Sequence, residues 1–240
     1  MNNPLPVSLD LRSVFAQLGI GPDDLILVHY HPILDRLVGG SAQLLDELAK
    51  YLNEGTICTF QEMVQYQEVN QGDLTKLDHY AKVVRDFDFK RYRDSLYHPL
   101  LLAMNRLPGR VFHQHPIVVF CGWGHDARYL TSLEGDDFPF GQDSPFRGLY
   151  DLKAKVLCFN QQFDQLDELT YGYVFDNQQP IRLVRTHLNQ EQQTYLDYQR
   201  TPEKYQQAVT MVEKKKSIQY ESINFTLFDY QQACQNLISL

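Results

Sequence analysis

Apolar residues recur at helical spacing in Leu11, Val14, Phe15 and Leu18, and Gly19 follows as a stop, predicting a first helix over about residues 8–18. After the turn Gly21-Pro22-Asp23-Asp24, residues 25–28 form a continuous apolar run, as expected of a strand covered on both faces. Gly39, Gly40 and Ser41 precede Leu44, Leu45, Leu48, Tyr51 and Leu52, an amphipathic helix with Ser41 or a neighbour as cap. Residues 56–60 read as the next strand. A helix between two buried strands is a βαβ unit, which brings both strand ends to one edge of the sheet. Residues 61–94 are rich in charge and tyrosine without a clear period, and read as irregular chain with short helical pieces. Helical spacing resumes over 100–107 and stops at Pro108-Gly109. Residues 117–121 and 155–159 are further apolar strands, 203–214 a polar-faced helix, and 217–227 alternates like a strand. Asp229 is placed to cap a last helix with Ala233, Leu237 and Ile238 inward.

Composition narrows the class. A chain of 240 residues, 43% hydrophobic, suits one large domain spanning residues 1–240. No stretch approaches the ~20 apolar residues that span a bilayer, and the first residues lack a signal-peptide layout, so the expectation is a cytoplasmic protein without a membrane segment. Cys58, Cys121, Cys158 and Cys234 lie far apart in apolar settings, as reduced, buried thiols do. The net charge is −8 and the only basic run is Lys214 to Lys216, which argues against a nucleic-acid partner.

The conspicuous chemistry is histidine. Four of the eight histidines fall in two proline-ended pairs, His29-Tyr30-His31-Pro32 and His113-Gln114-His115-Pro116. Proline keeps the preceding residue out of the helical region, which assigns both pairs to loops. Imidazoles gathered at one sheet edge could serve proton transfer near neutral pH. Nucleotide-binding glycine motifs, the GxSxG elbow and HExxH are all missing.

The segments LGIGPDDLILVH, the paired glycines before a helix, EGTICTF, LPGRVFHQHP, FGQDSPFRGLYDLKAKVLCF and INFTLFDYQQA occur in that order. This series resembles the aminoglycoside 3-N-acetyltransferase family, also called antibiotic N-acetyltransferases, over nearly the whole chain. The resemblance implies a single three-layer α/β/α domain around a central mixed, largely parallel sheet. It also implies transfer of an acyl group from acetyl-CoA, or another acyl-CoA, to a small-molecule amine such as an aminosugar. A homodimer is compatible with it. In the family a histidine held by a glutamate in an H-x-x-E pattern acts as base, with the thioester near the VH and HP loops. Here Thr170 and Tyr173 stand at those two positions, and neither replaces the dyad directly.

Three readings of the histidines follow. They are structural hydrogen-bonding groups; or a relocated base, with His31, His113 or His115 as candidates; or ligands of a metal, although two H-x-H pairs match no named metal signature. The resemblance makes His29, His31, Pro32 and His113 candidate contacts of the acyl-CoA, together with Ser144 of the G-x-x-SP turn, where Asp143 and Ser144 equally suit capping. Glu62, at the end of a strand, and Tyr66, Tyr80, Tyr92 and Tyr97 of the middle segment are weaker candidates for ligand contact. The contrary class is a scaffold relative without catalysis that binds a ligand or partner, or a histidine-based metal-dependent hydrolase.

Overall fold

The computed structural model describes residues 7–63, 67–69, 86–87, 98–133, 138–160, 163–188 and 191–240. Tyr66, Tyr80, Tyr92 and Tyr97 lie outside the described residues. Its elements are α1 (Leu11–Leu18), β1 (Leu25–Val28), α2 (Gly40–Tyr51), β2 (Thr56–Glu62), β3 (Gln67–Val69), β4 (Asp86–Phe87), α3 (Pro99–Met104), β5 (Val111–Gln114), β6 (Val118–Gly124), α4 (Ala127–Thr131), α5 (Pro145–Asp151), β7 (Lys155–Phe159), β8 (Ile181–Leu188), β9 (Glu191–Tyr198), α6 (Pro202–Thr210), β10 (Lys216–Tyr220), β11 (Ile223–Asp229) and α7 (Tyr230–Ile238). Short 3₁₀ turns occupy Pro32–Arg36, Phe163–Gln165 and Asp167–Phe175.

Seven strands form the main sheet in the order β10-β11-β7-β1-β2-β6-β5. All four residues of β1 are buried because neighbours along a strand point to opposite faces and both faces are covered. Ile26 and Val28 join one apolar layer with Val14 and Phe15 of α1, Leu44 and Leu48 of α2, and Leu100 and Met104 of α3. Leu25 and Leu27 join the other, against Phe146 of α5, Tyr205 of α6, and Tyr230 and Leu237 of α7. The result is the expected three layers around a mixed sheet.

Within the main sheet, among the described residues, parallel pairing is confined to β1 with β2 and with β7; the remaining neighbours there are antiparallel. The largely parallel character implied by the resemblance therefore holds only at the centre, where the βαβ unit lies. The chain leaves β2 at Glu62 and re-enters through β5, which runs from Val111 opposite Gly122 to Gln114 opposite Val119; the turn at His115-Pro116 then starts β6 at Val118, opposite Glu62. A hairpin that starts β6 at the edge where β2 and β5 both stop must run it antiparallel to each. β3, β8, β4 and β9 form a second sheet, in which β8 and β9 pair antiparallel from Ile181 opposite Tyr198 to Leu188 opposite Glu191.

Several local expectations are corrected. Gly39, left-handed at φ 77°, takes the cap position of α2, and Ser41 is buried inside the helix. Residues 217–227 belong to a hairpin of β10 and β11 with Glu221 at positive φ in its turn, not to one strand. The helix expected over 203–214 ends at Thr210, and in α7 Cys234 is buried while Ile238 is 39% exposed. In the middle segment residues 67–69 and 86–87 are strands, and most of the remainder, where short helical pieces are expected, lies outside the described residues. Asp10 caps α1 as its side chain accepts from Ser13 N, and Asp229 caps α7 by accepting from Gln232 N. The four cysteines are free and buried. Among the described residues no helix is long and apolar enough to cross a membrane.

Candidate active site

The edge at which β1 and β2 end is also where β5 ends and β6 begins, so His29, His31, Glu62, His113 and His115 all belong to one rim of the main sheet. β7 runs parallel to β1 and delivers the Asp167–Phe175 stretch to the same rim. The gathering rests on an antiparallel strand starting where parallel ones stop, not on parallel strands alone.

His29, the first residue beyond β1, places Nδ1 3.1 Å from Glu168 Oε2. Glu168 is fully buried, and its other oxygen, Oε1, has no hydrogen-bond partner among the described residues. The His29 side chain retains 18% exposure. Burial lowers the affinity of the ring for a proton, but the Glu168 charge and hydrogen bond, helped by Asp167, outweigh it and raise the His29 pKa. With the Nδ1 proton directed at the carboxylate, the Nε2 lone pair is the ring's acceptor, which is the orientation a general base needs.

The other histidines are held differently. His31, extended as a residue before proline should be, accepts a hydrogen bond at Nδ1 from Ile33 N at 3.0 Å and caps the turn that Pro32 begins. His115 is buried, accepts at Nδ1 from Ile117 N at 3.1 Å, and stands edge-on to Tyr195 at 4.7 Å. In both, an acceptor Nδ1 puts the proton of the neutral ring on Nε2 and makes that atom a donor. His113 sits in β5 opposite Phe120, half-buried, so the loop expected there is a strand. His98, at the start of α3, accepts from Leu101 N, reaches the Phe60 carbonyl at 3.0 Å and stacks on Tyr30 at 4.4 Å. Burial pushes its pKa down to about 4.

Thr170 and Tyr173 are both buried; Thr170 shares a 2.7 Å hydroxyl–hydroxyl bond with Tyr205. Ser144 takes the cap position of α5, yet its hydroxyl donates to the Gly141 carbonyl at 2.7 Å instead of accepting from the helix. Asp143 pairs loosely with Arg147 at 3.9 Å. Among the described residues, no three His, Cys, Asp or Glu side chains converge to hold a metal ion.

Acidic and basic side chains surround the pair. Arg200 binds Asp167 at 2.8 Å, Asp197 at 3.1 Å and Glu62. Arg182 forms a forked contact with Asp197 Oδ2, at 3.0 Å from Nε and 2.7 Å from Nη2, across a β8–β9 register pair. Sequence reasoning weighed Glu62 but missed Glu168, Asp167 and Arg200; the available signal was an acidic doublet soon after a buried strand.

Residues 32–238 match the family described as aminoglycoside 3-N-acetyltransferase. No curated protein matches the chain. Among solved structures, aminoglycoside acetyltransferase AAC(3)-Xa is 21% identical, with 98% of this chain and 92% of that one covered and a TM-score of 0.74. The YokD protein from Bacillus subtilis is 19% identical, with coverage of 96% and 95% and a TM-score of 0.74. AAC-IIIb, in a binary complex with CoASH, is 18% identical, with coverage of 97% and 96% and the same TM-score of 0.74. At these identities the likeness is one of fold.

Proposed function

Because the chain belongs to the aminoglycoside 3-N-acetyltransferase family, we propose that it transfers an acyl group from a CoA thioester, acetyl-CoA first among them, to a small amine, with His29 as base. The observation that carries this reading is the Nδ1 contact of His29 with the buried Glu168 at the strand-end rim. The H-x-x-E arrangement places both groups on one stretch of chain; here β1 supplies the imidazole and the 3₁₀ stretch after β7 supplies the carboxylate. The amine nitrogen attacks the thioester carbonyl as His29 Nε2 takes its proton. The C–S bond then breaks, the thiolate takes up that proton, and an amide and CoA-SH leave. His31, Pro32 and His113 lie on the same rim and are proposed to face the donor, with Nε2–H of His31 and of His115 as hydrogen-bond donors rather than bases.

Calorimetry with acetyl-CoA and CoA, followed by release of free thiol in the presence of an amine panel, tests the proposal. Saturable donor binding and amine-dependent thiol release are expected. His29→Gln should lower the transfer rate at least about 10²-fold, and Glu168→Gln by less, since the base would survive with poorer orientation. Failure to bind either compound at millimolar concentration would overturn the reading. It would favour the alternative that the buried Thr170–Tyr205 bond also suits: a relative that keeps the scaffold for binding alone.

A further inference from the structure

Arg200 is heavily engaged at the rim, yet the transfer step does not use it directly. It follows β9, and its side chain is 11% exposed. Nη1 donates to Asp167 Oδ1 at 2.8 Å, and Nη2 donates to Asp197 Oδ2 at 3.1 Å and to Glu62. These carboxylates come from the stretch after β7, from β9 and from the end of β2. A planar guanidinium holds several acceptors in fixed directions, which an ammonium does not. Asp167 is the covalent neighbour of Glu168, so fixing Asp167 fixes the turn that presents Glu168 to His29. The guanidinium also lies 5.0 Å from the centre of the Phe140 ring; Phe140 is edge-on to Phe60, and Phe60 edge-on to His29.

We propose that Arg200 is a positioning residue: by clamping Asp167 to the ends of β2 and β9, it holds Glu168 against Nδ1 of His29. Its consequence for rate rests on the acyl-transfer reading; its geometric content does not. Among the described residues, the charged and titratable groups facing His29 are Glu168 and Asp167 from the 3₁₀ stretch and His98 from the start of α3. Burial pushes the Asp167 carboxyl up and Arg200 opposes that rise. Without the guanidinium, Asp167 is driven toward its protonated form and the turn is released. Both changes weaken the acidic side of His29, leave its burial less opposed, and move its titration to lower pH.

The test follows the His29 ring by ¹⁵N NMR across pH in the full chain and in Arg200→Met, Arg200→Lys and Asp167→Asn, with thiol release recorded in parallel. In Arg200→Met, His29 is expected to titrate at lower pH than in the parent. The rising limb of the rate should move with it, and the plateau should fall by up to about 10²-fold, the cost of a displaced catalytic geometry. Arg200→Lys should return both readouts part of the way. Asp167→Asn, at a side chain 36% exposed, removes a charge that itself raises His29 and so sets the reference shift for loss of that charge alone, while Arg200→Gln supplies the answer if Arg200→Met does not fold. A His29 titration unchanged from the parent, with only the melting temperature lowered, would overturn the proposal and make Arg200 a structural tie. A parent protein without transferase activity would sink the acyl-transfer reading while leaving the NMR titration to decide on Arg200.

Discussion

Glu168 is a carboxylate with no exposed surface, joined through one oxygen to a ring that is itself partly exposed. Removing only the ring strands a buried acid, so His29→Ala should cost about 3 kcal/mol in urea unfolding. Removing both partners together, as in His29→Ala with Glu168→Leu, should cost less than the two single changes summed, with a coupling of about 1–3 kcal/mol. Strict additivity would show that the two groups do not act as a pair. His29 was legible as a rim residue and candidate donor contact because a buried strand ends at it and a proline follows soon after, whereas the base candidates read from the sequence were His31, His113 and His115. Glu168 was not legible, because its partner is 139 positions away, and a base and carboxylate that meet only through the fold share no spacing along the chain. Arg200 escaped for the same reason: its three carboxylates come from three separate elements, and such contacts leave no period in the sequence.

At the scale of elements, continuous burial is what made β1, β2 and β7 readable: strands covered on both faces leave unbroken apolar runs. β8 and β9 have no such run: β9 opens on four polar residues and charges fall on both strands, Arg182 and Asp197 among them. The direction of β6 follows from its hairpin with β5, and the four residues of β5 are too short an apolar run to announce a strand. β6 ends at Gly124, with φ 111°, opposite Thr56. A Cβ there would lie 2.2 Å from the Gly55 carbonyl oxygen, a backbone atom that has no flexible end to move aside. Gly124→Ala should therefore lower stability by about 2–3 kcal/mol through steric conflict and backbone strain. A denaturation midpoint within error of the parent would refute the close approach of β6 to β2. Gly109→Ala, also at positive φ but with nothing within 4 Å of the added carbon, isolates the backbone contribution alone.

For the whole molecule, His29 and His98 set opposite limbs of the stability profile. The folded pKa of His29 lies above the ordinary 6.5, so its proton stabilises the native state fully below 6.5, and this contribution is lost as pH rises through the raised value. Burial takes His98 down to about 4, so the unfolded chain binds a proton there first, and stability falls as pH drops from 6.5 toward 4. Melting temperature against pH should accordingly flatten on its acid side in His98→Gln and on its alkaline side in His29→Gln. Unaltered limbs would remove these rings as contributors.

The pairing of His29 with Glu168 across the central strands also orders events during synthesis. The ribosome completes β1 early, but the carboxylate that orients the imidazole emerges only after β7 has been made, and Arg200 later still. A nascent chain thus carries the ring without its partner, and neither half of the protein, severed between β6 and β7, contains the pair. Activity that returned on mixing two such halves would report that β7 had found its place beside β1.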